Sequence, residues 1–283
     1  MSKSLRNLKN TAFKQREFQQ GLNLSDIIPG HISIYLVWIL IRTPITPNQI
    51  TLFGLAIGII AAGLFATGTR EIMAIASGIY MLSIVLDYCD GKIARFKNIS
   101  SLTGEYLDRI NDAIVTPCVF GGITIGVFAS NPSLLVIALG LSATASWLLI
   151  KLAVHDSHAT VIEARMRHLK GHSEKTLVPD SIETDFDPAQ ATYTDMLEQR
   201  WWLLNIAGQV FSSPYLFLTA AGVLDLVLQF SIQIGPILID SFMFIALGLY
   251  ATALPTAAAI TITTTIRNNL TEREYIHLFQ EKP

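Results

Sequence analysis

Long apolar segments limit the folds that this chain of 283 residues can adopt. A helix needs about 20 apolar residues to cross a hydrocarbon core about 30 Å thick, and the sequence holds six segments that can do so. Because lipid offers no hydrogen-bond partners, such segments fold as helices that satisfy their own backbone groups. We therefore expect an all-α protein, a bundle of six transmembrane helices. The predicted spans are Asn48–Thr67, Ile72–Leu86 with an extension through Asp90, Ile110–Ala129, Leu134–Ile150, Leu203–Leu228 and Ile237–Ile266.

The composition agrees with a membrane protein. Apolar residues make up 51% of the chain and charged residues 15%, a more apolar balance than ordinary soluble domains have. The net charge of −2 excludes a broad nucleic-acid-binding surface. Cys89 and Cys118 lie inside apolar stretches, so we expect both to pack in the core and predict no disulfide framework.

The distribution of lysine and arginine predicts the orientation. If both termini lie on one side of the membrane, 19 of the 20 lysine and arginine residues fall on that side, and Arg70 is the exception. Loops rich in these residues face the cytoplasm. We therefore expect both termini, and the loops after the second and fourth spans, to be cytoplasmic. We expect Asp225 and Asp240, near the ends of the fifth and sixth spans, at the opposite interface.

A shorter apolar segment precedes the first span. Pro29 to Ile41 is too short to cross a bilayer before Arg42 and two prolines. We expect an N-terminal interfacial amphipathic helix on the cytoplasmic side, with Tyr35 and Trp38 at the depth of the lipid headgroups. The alternative is a helix buried as a clamp across the bundle.

These features divide the chain into three parts. Residues 1–43 form the cytoplasmic N-terminus with the interfacial helix, residues 44–267 form the six-helix membrane domain, and residues 268–283 form a cytoplasmic tail. Residues 154–200 form a cytoplasmic insert within the membrane domain. The insert holds His155, His158, His168 and His172, for which we favour a solvated, partly helical surface over a metal site. Within the first span, Gly54-x3-Gly58-x3-Ala62 is a small-residue stripe, and we favour packing inside the bundle over dimerisation.

Four aspartates lie at the cytoplasmic edge of two spans. Asp87 and Asp90 are three residues apart, and Asp108 and Asp112 are four apart, so each pair shares a face of its helix. Two antiparallel helices would aim all four carboxylates into one space. Acidic side chains beside membrane spans default to a functional role, and oxygen ligands of this kind favour Mg²⁺ or Mn²⁺. The alternative is that the aspartates are solvated helix ends.

The residues that follow suit a phosphate ligand. Gly91 and Ala94 have little or no side chain, which lets a ligand approach the backbone. Arg95 carries a guanidinium group, whose planar fork of donors matches phosphate.

The run Asp87-x2-Asp90-Gly91-x2-Ala94-Arg95-x8-Gly104-x3-Asp108-x3-Asp112 resembles the full signature of the CDP-alcohol phosphatidyltransferase family. The segment Thr46-Pro47-Asn48-Gln49-Ile50-Thr51 also resembles the family's entry to its first membrane helix, and the likeness extends from about Arg42 to Arg267. The resemblance implies metal-dependent transfer of a substituted phosphoryl group, for which we expect a phosphatidyl group, from a CDP-alcohol to an acceptor hydroxyl. The resemblance also implies the release of CMP and a role in phospholipid biosynthesis. The expected donor is CDP-diacylglycerol.

The resemblance also implies roles for single residues. Asp87, Asp90, Asp108 and Asp112 would hold two Mg²⁺ or Mn²⁺ ions, and Asp112 would also accept the proton of the attacking alcohol. The nucleotide would be held by Gly91, Ala94, Arg95, Asn48 and Gly104. A pure capping role for Asn48 is an equal alternative. Lys92, Lys97 and Arg109 occupy variable positions of the signature, and we expect them to be interfacial anchors.

The acceptor is less constrained. Lys151, Arg200 and Arg267 lie at predicted cytoplasmic helix ends, where they would bind a phosphorylated acceptor or act as snorkelling anchors. One alternative is transfer from a CDP-linked soluble alcohol, such as CDP-inositol, to an inositol phosphate or a lipid. A cation-coupled transporter is an alternative of another class, but its sites lie near the bilayer midplane. The resemblance further implies a homodimer.

Overall fold

The computed structural model describes residues 24–97, 99, 101–169, 214–228, 231–234, 237–267 and 269–271. The described part of the chain is mainly helical, with one small two-stranded hairpin. In chain order the elements are α1 Leu24–Leu40, α2 Pro47–Phe65, α3 Arg70–Lys97, α4 Leu102–Ser130, α5 Leu134–Leu169, α6 Pro214–Val227, β1 Ile232–Ile234, β2 Ile237–Ile239 and α7 Phe242–Arg267.

The predicted multi-pass membrane protein is confirmed. Among the described helices, five are long and apolar enough to cross a bilayer: α2, α3, α4, the Leu134–Ala153 part of α5, and α7. They correspond to the first four predicted spans and to the sixth. The predicted fifth span, Leu203–Leu228, is described only over the shorter apolar helix α6. Residues 203–213 of that span lie outside the described residues.

The sixth span starts later than predicted. Ile237–Ile239 forms β2, which pairs antiparallel with β1 so that Ile232 faces Ile239. β-branched residues favour strands, and a helix start needs partners for its free N–H groups. The Asp225 carboxylate provides such a partner at Phe242, whose N–H donates to it over 2.6 Å. The apolar run therefore contains a hairpin strand before the helix begins.

Asp225 is a capping residue for α7, and its position at the opposite interface stays a prediction. The side chain is 2% exposed, and its carboxylate also accepts from the N–H of Met243 over 3.3 Å. Asp240 is half-buried, and its carbonyl oxygen accepts from the Arg70 guanidinium over 2.5 Å. The single basic residue predicted on the far side of the membrane thus joins α3 to the segment before α7.

The first compact unit comprises residues 1–144 and 209–252, and close packing of α2 organises it. Gly54, Gly58 and Ala62 are buried. A Cβ on Gly58 would lie 2.8 Å from Val115 Cγ2 of α4 and 3.0 Å from Ser83 Oγ of α3. The small-residue stripe therefore packs inside the bundle, as predicted, and lets α2 contact both helices that carry the aspartates.

α1 packs along α3 by one face. Ile34 and Val37 join a buried cluster with Ile50 of α2 and with residues of α3 that include Cys89. The opposite face exposes four large apolar side chains, Ile28, Ile32, Tyr35 and Ile39. The predicted short helix is confirmed, and it begins at Leu24. Its buried face fits the clamp alternative, and its exposed apolar face fits the interfacial prediction.

Two predictions about side chains in the spans have different outcomes. Cys89 is buried, as predicted, whereas Cys118 is exposed, so its predicted core position is wrong. Both are free thiols.

Trp38 is half-buried, and the Arg42 guanidinium lies 3.7 Å from the centre of its ring.

The second compact unit comprises residues 145–208 and 253–283. α5 continues past its predicted end at Ile150 to Leu169, so the first part of the predicted insert is helical. The side chains of the four histidines lie outside the described residues. Lys151 lies on α5 with Nζ 5.1 Å from the centre of the Trp147 ring, and Arg267 stands in the last turn of α7.

Candidate metal and nucleotide site

α3 and α4 bring three of the predicted aspartates together. Asp87 and Asp90 lie one turn apart on α3, and Asp108 lies in the second turn of α4. Each offers a carboxylate oxygen, and these oxygens all lie within 4.8 Å of one another. Asp90 is buried, Asp87 is half-buried and Asp108 is exposed. The cluster is therefore anchored in the bundle and open to solvent on one side.

Asp112 lies one turn further along α4 and is not one of the three clustered aspartates. It is half-buried, and it lies close enough for its negative charge to act on Asp87 and on the buried Tyr80. Its roles as a metal ligand and as a base remain predictions.

The cluster fits a divalent cation. Three carboxylates at this separation repel one another unless a cation neutralises them, and carboxylate oxygens are the ligands that Mg²⁺ and Mn²⁺ prefer. Within the described residues, no cysteine or histidine belongs to the cluster, so the donor set does not suggest zinc.

α2 supplies a contact that the sequence did not single out. The Thr51 hydroxyl donates to the Asp90 carboxylate, and Thr51 is buried. The same hydroxyl lies 3.2 Å from the carbonyl oxygen of Pro47. Thr51 is the last residue of the segment that resembles the family's entry to its first membrane helix. That resemblance is the sequence signal that could have identified it. Its contact fixes the orientation of Asp90.

α4 supplies a second contact of this kind. Asn111 Nδ2 donates to Asp87 Oδ1 over 2.7 Å, and Asn111 is 4% exposed. Asn111 stands at a variable position of the signature, so the motif gave no reason to select it. The available signal was an amide three residues after Asp108, on the same helix face.

Three of the predicted nucleotide residues lie on α3 just beyond Asp90. Gly91, Ala94 and Arg95 are all half-buried. A Cβ on Gly91 would lie 3.5 Å from Arg95 Nη1, which is ordinary contact distance. Arg95 is close enough for its positive charge to act on Asp90. The guanidinium therefore lies beside the bare backbone at Gly91, within electrostatic reach of Asp90.

The other two, Asn48 and Gly104, meet where α2 and α4 begin. A Cβ on Gly104 would lie 3.1 Å from Asn48 Oδ1 and 3.2 Å from Ser101 Oγ, so a larger residue would push Asn48 aside. The cap of α2 is made by other residues. Thr46 N–H donates to Gln49 Oε1 over 3.0 Å, and Gln49 N–H donates to Thr46 Oγ1 over 3.4 Å. The run Thr46-Pro47-Asn48 is therefore a helix start, as the capping alternative expected, but Thr46 and not Asn48 is the capping residue.

Residues 44–179 match the CDP-alcohol phosphatidyltransferase family. This match covers α2, α3 and α4 with every residue of the site. These residues are therefore similar to that family.

A curated protein is also similar to part of this chain. Over 87 residues the chain is 30% identical to the bifunctional IPC transferase and DIPP synthase of Rubrobacter xylanophilus. The matched segment makes up 31% of this chain and 19% of that protein. The chain thus matches about a fifth of the length of this relative.

Solved structures share the fold. The phosphatidylinositol phosphate synthase of Mycobacterium tuberculosis with CDP-DAG bound gives a TM-score of 0.51 at 18% identity, over 84% of this chain and 93% of that one. The same enzyme in complex with manganese and citrate gives a TM-score of 0.50 at 19% identity, over 83% of this chain and 88% of that one.

Lys92, at a variable position of the family signature, is not an interfacial anchor. It is 2% exposed, and Nζ donates to Ser33 Oγ over 2.7 Å and to the carbonyl oxygen of Gly30 over 3.4 Å. Nζ also lies 5.1 Å from the centre of the Tyr88 ring. The anchor prediction is wrong because α1 covers this side of α3. Lys92 instead joins α1 to the helix that carries Asp87 and Asp90.

Lys97 ends α3 and contacts the connection between α1 and α2. Its Nζ donates to the carbonyl oxygens of Ile45 over 3.1 Å and of Thr43 over 3.4 Å. Arg109 is exposed and forms an ion pair with Glu105 over 2.6 Å, one turn earlier on α4. Lys97 therefore holds the segment that leads into α2.

The predicted acceptor residues are not placed in this site. Lys151 and Arg267 belong to the second compact unit, and Arg200 lies outside the described residues. Their role toward an acceptor remains a prediction.

Proposed function

We propose that this chain transfers a substituted phosphoryl group from a CDP-alcohol to an acceptor hydroxyl and releases CMP. One observation carries the proposal: oxygens of Asp87, Asp90 and Asp108 lie within 4.8 Å of one another, on two helices of the domain that matches the family. Gly91 and Arg95 follow Asp90 along α3 and suit a phosphate ligand.

The proposed donor is CDP-diacylglycerol. Membrane-spanning helices carry the cluster, so a lipid tail would remain in the bilayer while its head enters the site. The related synthase of Mycobacterium tuberculosis has been solved with CDP-DAG bound. Residues proposed to hold the nucleotide are Gly91, Ala94, Arg95, Asn48 and Gly104.

The proposed cofactor is a pair of Mg²⁺ or Mn²⁺ ions. Asp87, Asp90 and Asp108 would hold the first, and Asp112 would contribute to the second. Manganese in a related synthase supports a divalent ion. Bound ions of this kind neutralise the charge of a pyrophosphate and stabilise the leaving CMP.

The chain's own side chains would position the reactants and move one proton. Thr51 holds Asp90, and Asn111 holds Asp87, so two carboxylates are oriented before a donor binds. Arg95 would bind a phosphate oxygen of the donor. Asp112 would take the proton of the acceptor hydroxyl, which makes the oxygen a better nucleophile. A general base of this type contributes about 10²- to 10⁴-fold to the rate.

The acceptor is proposed as an alcohol or a phosphorylated alcohol. Lys151, Arg200 and Arg267 are the candidates to bind an acceptor phosphate. The similarity to the Rubrobacter xylanophilus IPC transferase and DIPP synthase favours a second candidate function. In that reaction a CDP-linked soluble alcohol such as CDP-inositol is the donor, and an inositol phosphate or a lipid is the acceptor.

The proposed location is the cytoplasmic face. The lysine and arginine distribution supports cytoplasmic termini and a cytoplasmic site, where soluble nucleotides and divalent ions are supplied. A homodimer is proposed from the family resemblance alone.

CMP release by the purified protein tests the proposed function. Radiolabelled CDP-diacylglycerol or CDP-inositol is incubated with Mn²⁺ and a panel of alcohols and phosphorylated alcohols. Wild type should release CMP with one combination, and Asp108→Asn should not. Glu105→Gln is the matched control, because Glu105 is an exposed acid on the same face of α4 that lies outside the cluster. No CMP from any combination, together with cation flux into vesicles, would support the transporter alternative.

A further inference from the structure

Asn111 carries a buried amide with one satisfied end. Its Nδ2 donates to Asp87 Oδ1 over 2.7 Å, and the side chain is 4% exposed. Among the described residues, its Oδ1 has no hydrogen-bond partner. Buried polar atoms are almost always paired, so this oxygen calls for a partner that the described residues do not provide.

The orientation of the amide follows from the chemistry of Asp87. An ionised carboxylate accepts hydrogen bonds and cannot donate them. The nitrogen of the Asn111 amide must therefore face Asp87, and the oxygen is the free end. Because Oδ1 and Nδ2 are bonded to the same carbon, the free oxygen lies next to the carboxylate that belongs to the cluster.

We propose that Asn111 is a further member of the cation site, with Nδ2 holding Asp87 and Oδ1 offering a neutral oxygen to the coordination sphere of the cation. The inference rests on the proposed function and deepens it. An amide oxygen is a suitable ligand for hard divalent ions, and it adds a ligand without adding negative charge to three carboxylates that already repel one another.

Mn²⁺ binding by the purified full-length chain, without donor, tests this role. Titration calorimetry with MnCl₂ is applied to wild type, Asn111→Ala and Asn111→Asp. Asn111→Ala removes both contacts and should weaken Mn²⁺ binding by roughly 10- to 100-fold, the usual effect of losing a supporting residue at a metal site. Asn111→Asp keeps an oxygen in place of Oδ1 but loses the amide donor to Asp87, so it should bind Mn²⁺ more weakly than wild type and more tightly than Asn111→Ala, since carboxylate and amide oxygens are both ligands for such ions.

Asn131→Ala is the matched control. Asn131 is the same residue type at the other end of α4, it is 7% exposed, and its backbone N–H caps the helix. At 1.5 Å per residue it lies about 30 Å along the helix from Asn111. Its replacement should leave Mn²⁺ affinity unchanged, while thermal unfolding reports the general cost of truncating a buried amide.

The outcomes distinguish the role of Asn111 from the proposed function. Equal Mn²⁺ affinity in wild type, Asn131→Ala and Asn111→Ala would overturn the role of Asn111 and leave the proposed function standing. A loss in Asn111→Asp as large as in Asn111→Ala would show that only the hydrogen bond to Asp87 matters, and would overturn Oδ1 as a cation-facing oxygen. A wild-type protein that neither binds Mn²⁺ nor releases CMP would overturn the proposed function itself.

Discussion

Thr51 is the residue on which the orientation of Asp90 depends. Both are buried, and the Thr51 hydroxyl donates to the carboxylate. Thr51→Val keeps the branched shape and removes the hydroxyl. We expect it to lower Mn²⁺ affinity and the rate of CMP release by roughly 10- to 100-fold, because supporting contacts of metal ligands have effects of this size. Calorimetry and the CMP assay measure both quantities.

Thr51→Ser is the control for that substitution, because it restores the hydroxyl. It should recover most of the Mn²⁺ affinity and most of the activity. Equal values for Thr51→Val and wild type would show that Asp90 needs no support from α2.

Asp112 and Asp87 should differ in what their loss removes. Asp112 lies outside the group of three clustered carboxylates, and its proposed role is to take a proton. Asp112→Asn should therefore reduce CMP release by about 10²-fold or more and leave binding of CDP-diacylglycerol largely intact. Asp87→Ala should remove the Mn²⁺ dependence of donor binding.

Equilibrium binding of a labelled CDP-donor, with and without Mn²⁺, separates these roles. Retained turnover in Asp112→Asn with a lost donor affinity would contradict the assignment of Asp112 as the base. Unchanged Mn²⁺ affinity in Asp87→Ala would contradict the metal assignment.

At the scale of residues, the sequence predicts the groups that a fixed spacing defines. The three clustered aspartates follow from two pairs at helical intervals on neighbouring spans, and the structure brings them together. Thr51, Asn111 and Lys92 escaped prediction because their importance depends on which helix packs against which. A variable position in a motif does not reveal that α1 buries Lys92.

Among the elements, the packing of α2 decides how the site is assembled. α2 carries Asn48 and Thr51, and it contacts α3 and α4 through small residues. Gly58→Ala would place a Cβ 2.5 Å from Val115 Cγ1 and must therefore displace α2 or α4. We expect it to lower the stability by about 1–3 kcal/mol, the usual cost of overpacking, and to reduce activity because Thr51 moves away from Asp90.

Gly63→Ala on the same helix is the matched control. Nothing lies within 4 Å of a Cβ at Gly63 among the described residues, so the change should leave thermal unfolding in detergent unchanged or raise the midpoint slightly. Equal midpoints for Gly58→Ala and Gly63→Ala would contradict the close approach of α2 to its neighbours.

Helix positions were predictable, and several helix ends were not. The start of α2 follows from local residues, since Thr46 and Gln49 form a capping box on either side of Pro47. The start of α7 depends on Asp225, 17 residues earlier in the chain. A hydropathy pattern cannot detect such a partner, so the span predicted from it includes β2.

For the whole molecule, the lysine and arginine distribution makes a prediction about sidedness. Glu105 and Thr69 are exposed and lie near opposite ends of the α2–α4 unit of the bundle. In a Cys89→Ser, Cys118→Ser background, Glu105→Cys should react with a membrane-impermeant maleimide only in inverted vesicles. Thr69→Cys should react only in intact cells. The reverse pattern would place the aspartates on the outer face and contradict the positive-inside interpretation.

We propose that Asp87, Asp90 and Asp108 jointly hold a divalent cation beneath a CDP-alcohol. Anomalous diffraction from crystals of the full chain grown with Mn²⁺ and CDP-diacylglycerol tests this directly. We predict a manganese peak bonded to oxygens of all three aspartates, with the diphosphate of the donor on the same ion. A manganese peak elsewhere, or a donor bound away from these carboxylates, would show that the three aspartates do not form the cation site.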